Sequence, residues 1–197
     1  MKHNVANLHI FAEADSLRAL QRENRALKAQ VTALERLVAC DTLTPLFNRR
    51  HFMDELARWC WRAHRYGGTY ALLFIDVDNL KAVNDQHGHV AGDAVLVAIA
   101  KGLLASVRRS DLVARMGGDE FAILLDNIAA TQISGKAKHI SNAVGQLEIP
   151  IAGTCLKPNI SIGFTALEVG IKPVELLLRA DRSMYAAKRA KGISPLR

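Results

Sequence analysis

The first 40 residues carry a hydrophobic pattern that the rest of the chain does not share. Apolar side chains and one Asn recur there at alternating spacings of three and four residues, which places them at the a and d positions of a heptad repeat. The a positions hold Leu17, Asn24, Val31 and Val38, and the d positions hold Leu20, Leu27 and Leu34. A single Asn at an a position favours a two-stranded coil with a fixed register. We therefore predict that residues 1–40 form a helix that pairs with a second copy in a parallel coiled-coil homodimer, the alternative being an amphipathic helix that packs on its own domain.

Residues 41–197 show short apolar runs separated by turn residues, a pattern typical of a single α+β domain. A helix is predicted from about residue 46 to 64, because Phe52, Leu56 and Trp59 share one face. The run Tyr70–Val77 is apolar almost throughout, which indicates a central strand covered on both faces. The other predicted elements are a polar loop with Gly88 and Gly92, a helix over 94–107, strands over 111–116 and 120–125, a helix over 128–147, a strand over 160–167 and a helix over 173–191.

The middle of the domain carries a hairpin signal, because Gly117-Gly118 separates two apolar runs. The order of elements then predicts an α/β sandwich, in which a mixed sheet with a central β-hairpin has helices on its faces. The N-terminal helix precedes this domain, and we place the boundary between residues 40 and 41.

The chain has 197 residues and is basic, with 26 Lys and Arg against 19 Asp and Glu and a formal net charge of +7. A basic chain favours anionic partners, such as nucleotides or nucleic acid, without choosing among them. The three cysteines are far apart and form no Cys-X-X-Cys pair, which argues against a disulfide framework and a Cys-based zinc site. No apolar run approaches the roughly 20 residues of a membrane helix, and no signal-peptide core follows the N-terminus. We expect a cytoplasmic protein with no membrane segment.

Acidic side chains lie where two of the predicted strands meet a turn. Asp76 and Asp78 lie at the end of the central strand, and Asp119 and Glu120 follow the glycine turn. Carboxylates at the ends of neighbouring strands can converge, and a cation then offsets their repulsion. Hard oxygen ligands indicate Mg²⁺ or Mn²⁺. The alternative is structural: Asp78 caps the following loop, and Glu120 is a solvated charge in a hairpin.

Several motifs occur together in the order found in one protein family. The sequence Gly-Gly-Asp-Glu-Phe at 117–121 is the signature of the GGDEF family of diguanylate cyclases, which this chain resembles over about residues 41–190. Similar motifs of that family are Asp-Thr-Leu-Thr at 41–44 with Asn-Arg-Arg at 48–50, the run 76–85 with Gly88-His89 and Gly92-Asp93, and Ser-Ile-Gly at 161–163 with residues matching over 180–188.

The resemblance implies a fold like the palm of nucleotidyl cyclases and polymerases, and a reaction that converts two GTP into cyclic di-GMP and two pyrophosphates. Each of two protomers would hold one GTP, and each 3′-hydroxyl would attack the α-phosphate of the other GTP. By the same resemblance, Asp76, Asp119 and the Val77 carbonyl would hold Mg²⁺ (or Mn²⁺). Asp119 is also the family's proposed base toward the 3′-hydroxyl, and Glu120 lies beside it in the sequence.

The resemblance also assigns the contacts with GTP. Lys81 would neutralise phosphate charge in the transition state. The turn at Gly117 and Gly118 would let the backbone approach the phosphates without a Cβ in the way. Asn84 and Asp93 would read guanine, because an Asp accepts from the guanine N1–H and amino group, and adenine lacks donors at those positions.

Arg108 and Asp111 match the family's RxxD inhibitory site, and five residues separate Asp111 from Gly117, as the family pattern requires. The resemblance therefore implies that the product, cyclic di-GMP, binds at Arg108 and Asp111 and inhibits the enzyme. The alternative is an ordinary surface Arg–Asp pair at the end of a helix.

The chain departs from the family after Lys188, which by the resemblance would reach the phosphates from the last helix. The usual Gly-Arg-Asn is absent, and the chain reads Arg-Ala-Lys-Gly-Ile at 189–193. Lys191 and Arg189 are the candidates to replace the missing Arg. This departure keeps a second hypothesis open, namely a non-catalytic receptor that binds cyclic di-GMP or GTP and signals to a partner. Nucleic-acid binding rests on net charge alone, and we expect no nucleic-acid partner.

Overall fold

A computed structural model describes residues 20–25, 27, 28, 30, 38–151 and 153–192. The chain divides into two units, Met1–Ala39 and Cys40–Arg197. Among the helices in these described stretches, none has both the length and the apolar character needed to cross a bilayer.

The first unit is helical at residues 20–25, 27, 28, 30, 38 and 39. The side chains of Leu20 and Leu27, both at predicted d positions, are 63% and 53% exposed. Leu17, Val31 and Leu34 lie outside the described residues. The heptad seam and its pairing with a second copy therefore stay predictions.

The second unit contains a five-stranded sheet with helices on both faces, which confirms the predicted α+β class. The strands of this sheet are β1 (Phe47–Asn48), β2 (Tyr70–Val77), β3 (Leu112–Gly117), β4 (Glu120–Asp126) and β7 (Ile160–Ala166), and a separate hairpin consists of β5 (Ile149–Ile151) and β6 (Thr154–Leu156). The helices are α1 (Arg49–Tyr66), α2 (Leu80–His87), α3 (His89–Ala105), α4 (Ala130–Gly145) and α5 (Pro173–Ala190). The strand order is β1-β3-β4-β2-β7, in which β1 runs parallel to β3 and the other pairs are antiparallel.

Strand β2 lies inside the sheet and is buried on both faces, as its apolar sequence predicts. Ala71, Leu73 and Ile75 belong to a core cluster with buried residues of α3 and α4. Leu72 and Phe74 point to the opposite face and belong to a second cluster with buried residues of α1 and α5. The sheet is therefore the middle of three layers, and its strand ends are free to carry polar side chains.

The predicted polar loop around Gly88 and Gly92 is wrong, because two helices occupy this stretch. Gly88, with φ of 83°, ends α2 and begins α3, and Gly92 lies inside α3. Helix α2 has only eight residues, which is too short for a helical period to stand out in the sequence.

Other boundaries differ by a few residues. The helix predicted from residue 46 begins at Arg49, because residues Phe47–Asn48 form β1 and the Asn48 side chain accepts from the His51 backbone N–H at 3.0 Å. The β5–β6 hairpin was not predicted. Its strands have three residues each and one of them contains Pro150, so no alternating pattern could develop.

Candidate functional site

The end of β2 and the turn of the β3–β4 hairpin bring three carboxylates to one edge of the sheet. Asp76 lies opposite Glu120 in the antiparallel register. The Val77 N–H donates to the Asp119 carbonyl at 3.1 Å, which continues this pairing by one residue. We call Asp76, Asp119 and Glu120 the acidic edge. The predicted convergence of these side chains follows directly from the strand register.

The hairpin turn that carries Asp119 depends on glycine. Gly117 has φ of 139° and Gly118 has φ of 52°, both in the region where a side chain is strained. An added Cβ at either glycine would meet no atom within 4 Å, so the requirement is conformational and not steric. The open space beside the turn leaves room for a ligand to approach the backbone.

The carboxylates of the acidic edge repel one another. Burial raises the pKa of Asp76, and the charges of Asp119 and Asp78 add to this rise, while Lys188 opposes it. Burial also raises the pKa of Glu120, and the neighbouring charges of Asp119 and Asp76 raise it further. A cation placed among these groups would relieve the repulsion.

Lys188, in the last turn of α5, supplies one such cation. Its side chain is 10% exposed, and its Nζ donates to Asp76 Oδ1 at 2.5 Å. Helix α5 packs very closely on β7 at Gly163. A Cβ added at Gly163 would lie 1.9 Å from the Met184 backbone nitrogen. This close approach sets the distance of the whole helix from the sheet and brings Lys188 to the acidic edge.

The acidic edge offers oxygen donors of the kind that Mg²⁺ prefers. No group of three His, Cys, Asp or Glu side chains in the described part of the chain is placed to enclose a metal. Mg²⁺ commonly uses one or two carboxylates and takes its other ligands from water and substrate phosphates. The repelling carboxylates of Asp76 and Asp119, with the adjacent main chain at Val77, fit such an incomplete protein ligand set.

A second part of the site lies between α2 and α3. The Oδ1 atom of Asn84, on α2, is buried and has no hydrogen-bond partner among the described residues. A Cβ at Gly92 would lie 1.9 Å from this oxygen, so only glycine leaves room for Asn84. Asp93 follows Gly92 on α3 and is exposed. A buried acceptor left unpaired costs about 1–3 kcal/mol, and a ligand that donates to Asn84 would remove this cost.

Lys81 lies in the first turn of α2 and is exposed. It makes no ion pair with any described residue of the acidic edge. The structure therefore brings together Asp76, Asp119, Glu120 and Lys188, and it does not join Lys81 to them.

Arg108 and Asp111 lie on the turn between α3 and β3. Asp111 Oδ2 accepts from the Arg108 backbone N–H at 2.8 Å, and Oδ1 accepts from the Asp126 backbone N–H at 3.0 Å. The Arg108 side chain is exposed and lines a pocket of about 230 Å³ together with Lys136 and Gln132. The Asp111 carboxylate thus has a structural role, the Arg108 side chain faces solvent, and the half-buried Lys136 donates its Nζ to the Ser106 carbonyl at 2.7 Å.

Arg115 was missed by the sequence analysis. Its Nε and Nη2 donate to the Gly118 carbonyl at 3.1 and 2.8 Å, and its Nη1 pairs with Asp41 Oδ1 at 3.3 Å. Burial alone would raise the pKa of Asp41, but hydrogen bonds from Thr44 together with the Arg115 charge hold it below its usual value. The sequence offered one indication of this role, namely a single Arg inside the apolar run that forms β3. Arg115 connects the motif at residues 41–44 to the turn that carries Asp119.

The Asp78 side chain is 1% exposed. It accepts hydrogen bonds from Ser161 and Lys191. The alternative reading of Asp78 as the cap of the following loop gains no support from the described residues, because the carboxylate oxygens accept from Ser161 and Lys191 instead.

Comparison with known proteins identifies the family. The model of the family described as "Diguanylate cyclase, GGDEF domain" matches residues 38–193. The diguanylate cyclase TpbB of Pseudomonas aeruginosa is 39% identical over 185 residues, which cover 91% of this chain and 40% of TpbB. The chain thus spans well under half the length of this curated relative.

Two solved structures share the fold. The coiled coil and GGDEF domain of DgcB from Caulobacter crescentus, solved in complex with c-di-GMP, has a TM-score of 0.80 at 30% identity and covers 88% of this chain and 93% of that chain. The diguanylate cyclase SiaD of Pseudomonas aeruginosa, solved with its activator SiaC, has a TM-score of 0.80 at 31% identity over 92% of this chain and 70% of that chain. These matches confirm the resemblance found in the motifs. The chain belongs to the GGDEF family of diguanylate cyclase domains.

Proposed function

We propose that the chain is a diguanylate cyclase that condenses two GTP into cyclic di-GMP and two pyrophosphates. The observation that carries this proposal is the acidic edge, where three carboxylates from β2 and the β3–β4 hairpin lie with the Lys188 ammonium at the end of a buried sheet. The name of the relative TpbB supports the same activity.

The chemistry requires a proton acceptor and positive charge. The 3′-oxygen of one GTP forms a bond to the α-phosphorus of the other, the bond from that phosphorus to the bridging oxygen breaks, and pyrophosphate leaves. We assign Asp119 as the acceptor of the 3′-hydroxyl proton, with Glu120 beside it. The raised pKa of Glu120, which burial and the charge of Asp119 cause, makes that carboxylate a better base than a solvated one. Lys188 and Lys81 are the cations that we assign to the phosphates.

A bound Mg²⁺ or Mn²⁺ supplies charge neutralisation at the phosphates in this class of reaction. We assign Asp76, Asp119 and the main-chain carbonyl of Val77 to hold it. The mutual repulsion of the carboxylates, visible in the raised pKa of Asp76 through burial and the charge of Asp119, supports this assignment.

We assign guanine recognition to Asn84 and Asp93. The unpaired, buried Oδ1 of Asn84 supports a ligand that donates a hydrogen bond there. Asp93 is exposed next to Gly92 and can accept the remaining guanine donors. Adenine lacks donors at the positions of the guanine N1–H and 2-amino group, so ATP bound in the same orientation would leave Asn84 unpaired at a cost of about 1–3 kcal/mol.

Because two GTP molecules must meet, the activity needs two protomers. We propose that residues 1–40 pair in a coiled-coil homodimer that brings the two sites face to face. The heptad pattern and the exposure of Leu20 and Leu27 support this pairing.

We propose that cyclic di-GMP also inhibits the enzyme by binding at Arg108 and Asp111. The exposed Arg108 and the pocket that it shares with Lys136 offer positive charge to an anionic dinucleotide. Both Asp111 oxygens already accept backbone N–H groups, so Arg108 is the principal contact.

The test is conversion of GTP into cyclic di-GMP in the presence of Mg²⁺, followed by chromatography. Asp119→Ala is expected to abolish turnover, and Asp54→Ala, which removes an exposed carboxylate of α1, is expected to retain it. Added cyclic di-GMP is expected to slow the wild type and not Arg108→Ala. Binding of GTP or cyclic di-GMP with no turnover would instead support the receptor hypothesis.

A further inference from the structure

Asp78 is a carboxylate that the proposed reaction does not use, yet it is almost completely buried. Its side chain is 1% exposed. Its Oδ1 accepts from the Ser161 hydroxyl at 2.7 Å, and its Oδ2 accepts from Lys191 Nζ at 2.9 Å. A buried carboxylate is costly unless it is paired and hydrogen-bonded, and here both oxygens are satisfied. We call Asp78, Ser161 and Lys191 the Asp78 cluster.

Lys191 follows the last residue of α5 and is bound at two points. Besides Asp78, its Nζ donates to the Ile160 carbonyl at 2.7 Å. Its side chain is 42% exposed, but its ammonium already has two oxygen partners, one in the turn after β2 and one on β7. Two of the three N–H donors of the Lys191 ammonium are therefore used inside the protein, which argues against Lys191 as the replacement for the family's missing phosphate-binding Arg.

The Asp78 cluster lies close in sequence to a second ion pair, Asp76–Lys188, which joins β2 to α5 at the acidic edge. Asp76 and Asp78 are two residues apart, the first in β2 and the second in the turn that follows it. Lys188 and Lys191 are three residues apart, which is close to one helical turn. The end of α5 is thus held to the end of β2 and the turn after it by two ion pairs, Lys188–Asp76 at the acidic edge and Lys191–Asp78.

We propose that Lys191 is a positioning residue, which acts through buried Asp78 to hold the last turn of α5 so that the Lys188 ammonium lies at the acidic edge. This inference rests on the proposed function, because it makes Lys188 a ligand of the GTP phosphates. Removing the Lys191 ammonium leaves a buried carboxylate without its charge partner and detaches the last turn of α5 from β7. Lys188 then spends less time at the position where phosphates are to bind.

The test measures binding of a non-reactive GTP analogue, α,β-methylene-GTP, with Mg²⁺ by calorimetry. Lys191→Met is expected to weaken binding about tenfold, the lower end of what the loss of an outer partner costs a ligand. Lys191→Arg keeps the charge and is expected to restore most of the affinity. Lys172→Met is the matched control, because it removes an exposed lysine at the opposite end of α5 and is expected to leave binding unchanged.

A second background separates positioning from direct contact. In Asp78→Asn the partner charge is gone, so adding Lys191→Met is expected to cost no further affinity. An equal loss of affinity in both backgrounds would show that Lys191 contacts the phosphates itself, and it would overturn the inference. A Lys191→Met variant that binds the analogue as well as Lys172→Met does would also overturn it.

Hydrogen exchange of the last turn of α5 tests the positioning role of Lys191 independently of the proposed function. Faster amide exchange over residues 186–192 in Lys191→Met than in Lys172→Met is expected, and it needs no nucleotide. Wild-type protein that fails to bind the analogue would refute the proposed function, while unchanged exchange in Lys191→Met would refute the positioning role. The two failures are therefore distinguishable.

Discussion

Replacing Gly92 by alanine is expected to weaken guanine recognition without removing any side chain that we assign to guanine. The new Cβ would lie 1.9 Å from Asn84 Oδ1, which is about 1.5 Å short of the 3.4 Å at which ordinary contact begins. Asn84 must therefore leave its buried position. Because Gly92 lies inside α3, the same substitution also improves helix propensity.

These two effects have opposite signs and comparable sizes. Alanine is favoured over glycine in a helix interior by about 0.8–1 kcal/mol. Forcing an extra methyl group into a packed site costs about 1–3 kcal/mol, so the free energy of unfolding is expected to fall by about 1 kcal/mol overall. Loss of one hydrogen bond between Asn84 and guanine costs about 0.5–1.5 kcal/mol, which raises the KM for GTP about two- to twelvefold.

A double-mutant cycle isolates the contact. In an Asn84→Ala background the clash is absent, so Gly92→Ala is expected to stabilise the fold by about 1 kcal/mol instead of destabilising it. Gly135→Ala is the matched control, because Gly135 lies in α4 and an added Cβ meets nothing within 4 Å. Urea denaturation gives the stabilities, and initial rates over a range of GTP give KM.

The result that would refute this reasoning is equally specific. If Gly92→Ala stabilises the protein by the same amount with and without Asn84, and leaves the KM for GTP unchanged, Asn84 does not lie against Gly92. The assignment of guanine recognition to Asn84 would then lose its structural basis.

Three further predictions concern the sheet and the acidic edge. Gly163→Ala is expected to lower the free energy of unfolding by about 2 kcal/mol, because its Cβ would meet the Met184 backbone at 1.9 Å; a wild-type urea midpoint would contradict this. Arg115→Met removes the bonds that brace the Gly118 carbonyl, so kcat is expected to fall about tenfold with a smaller change in KM, and an unchanged kcat would exclude a role for Arg115. Burial and neighbouring charges raise the folded pKa of Glu120, so this group contributes stability below its unfolded pKa and loses it as pH rises through its folded pKa. Glu120→Gln is therefore expected to stabilise the Mg²⁺-free protein at neutral pH and not at acid pH, and an equal effect at both would refute the assigned repulsion.

The sequence was most informative where burial and turn chemistry act over short distances. The two-sided apolar run of β2 and the glycine turn after β3 predicted a central strand and a hairpin, and both are present. Since Asp76 and Glu120 lie at the ends of these elements, the convergence of the acidic edge was predictable from the register alone.

Contacts between residues far apart in the chain were not predictable in the same way. Arg115 reaches Asp41 across 74 positions, and Lys191 reaches Asp78 across 113. Nothing in local spacing distinguishes these ion pairs from solvated charges. Short elements were missed for a different reason, because three-residue strands and an eight-residue helix give too few positions for a period to be recognised.

The most direct test of the acidic edge is a crystal structure with Mn²⁺ and α,β-methylene-GTP, read from the anomalous signal of the manganese. The predicted result is an anomalous peak bonded to the carboxylates of Asp76 and Asp119, with phosphate oxygens of the nucleotide among its other ligands. A nucleotide bound elsewhere, or a peak that neither Asp76 nor Asp119 reaches, would contradict the proposed site.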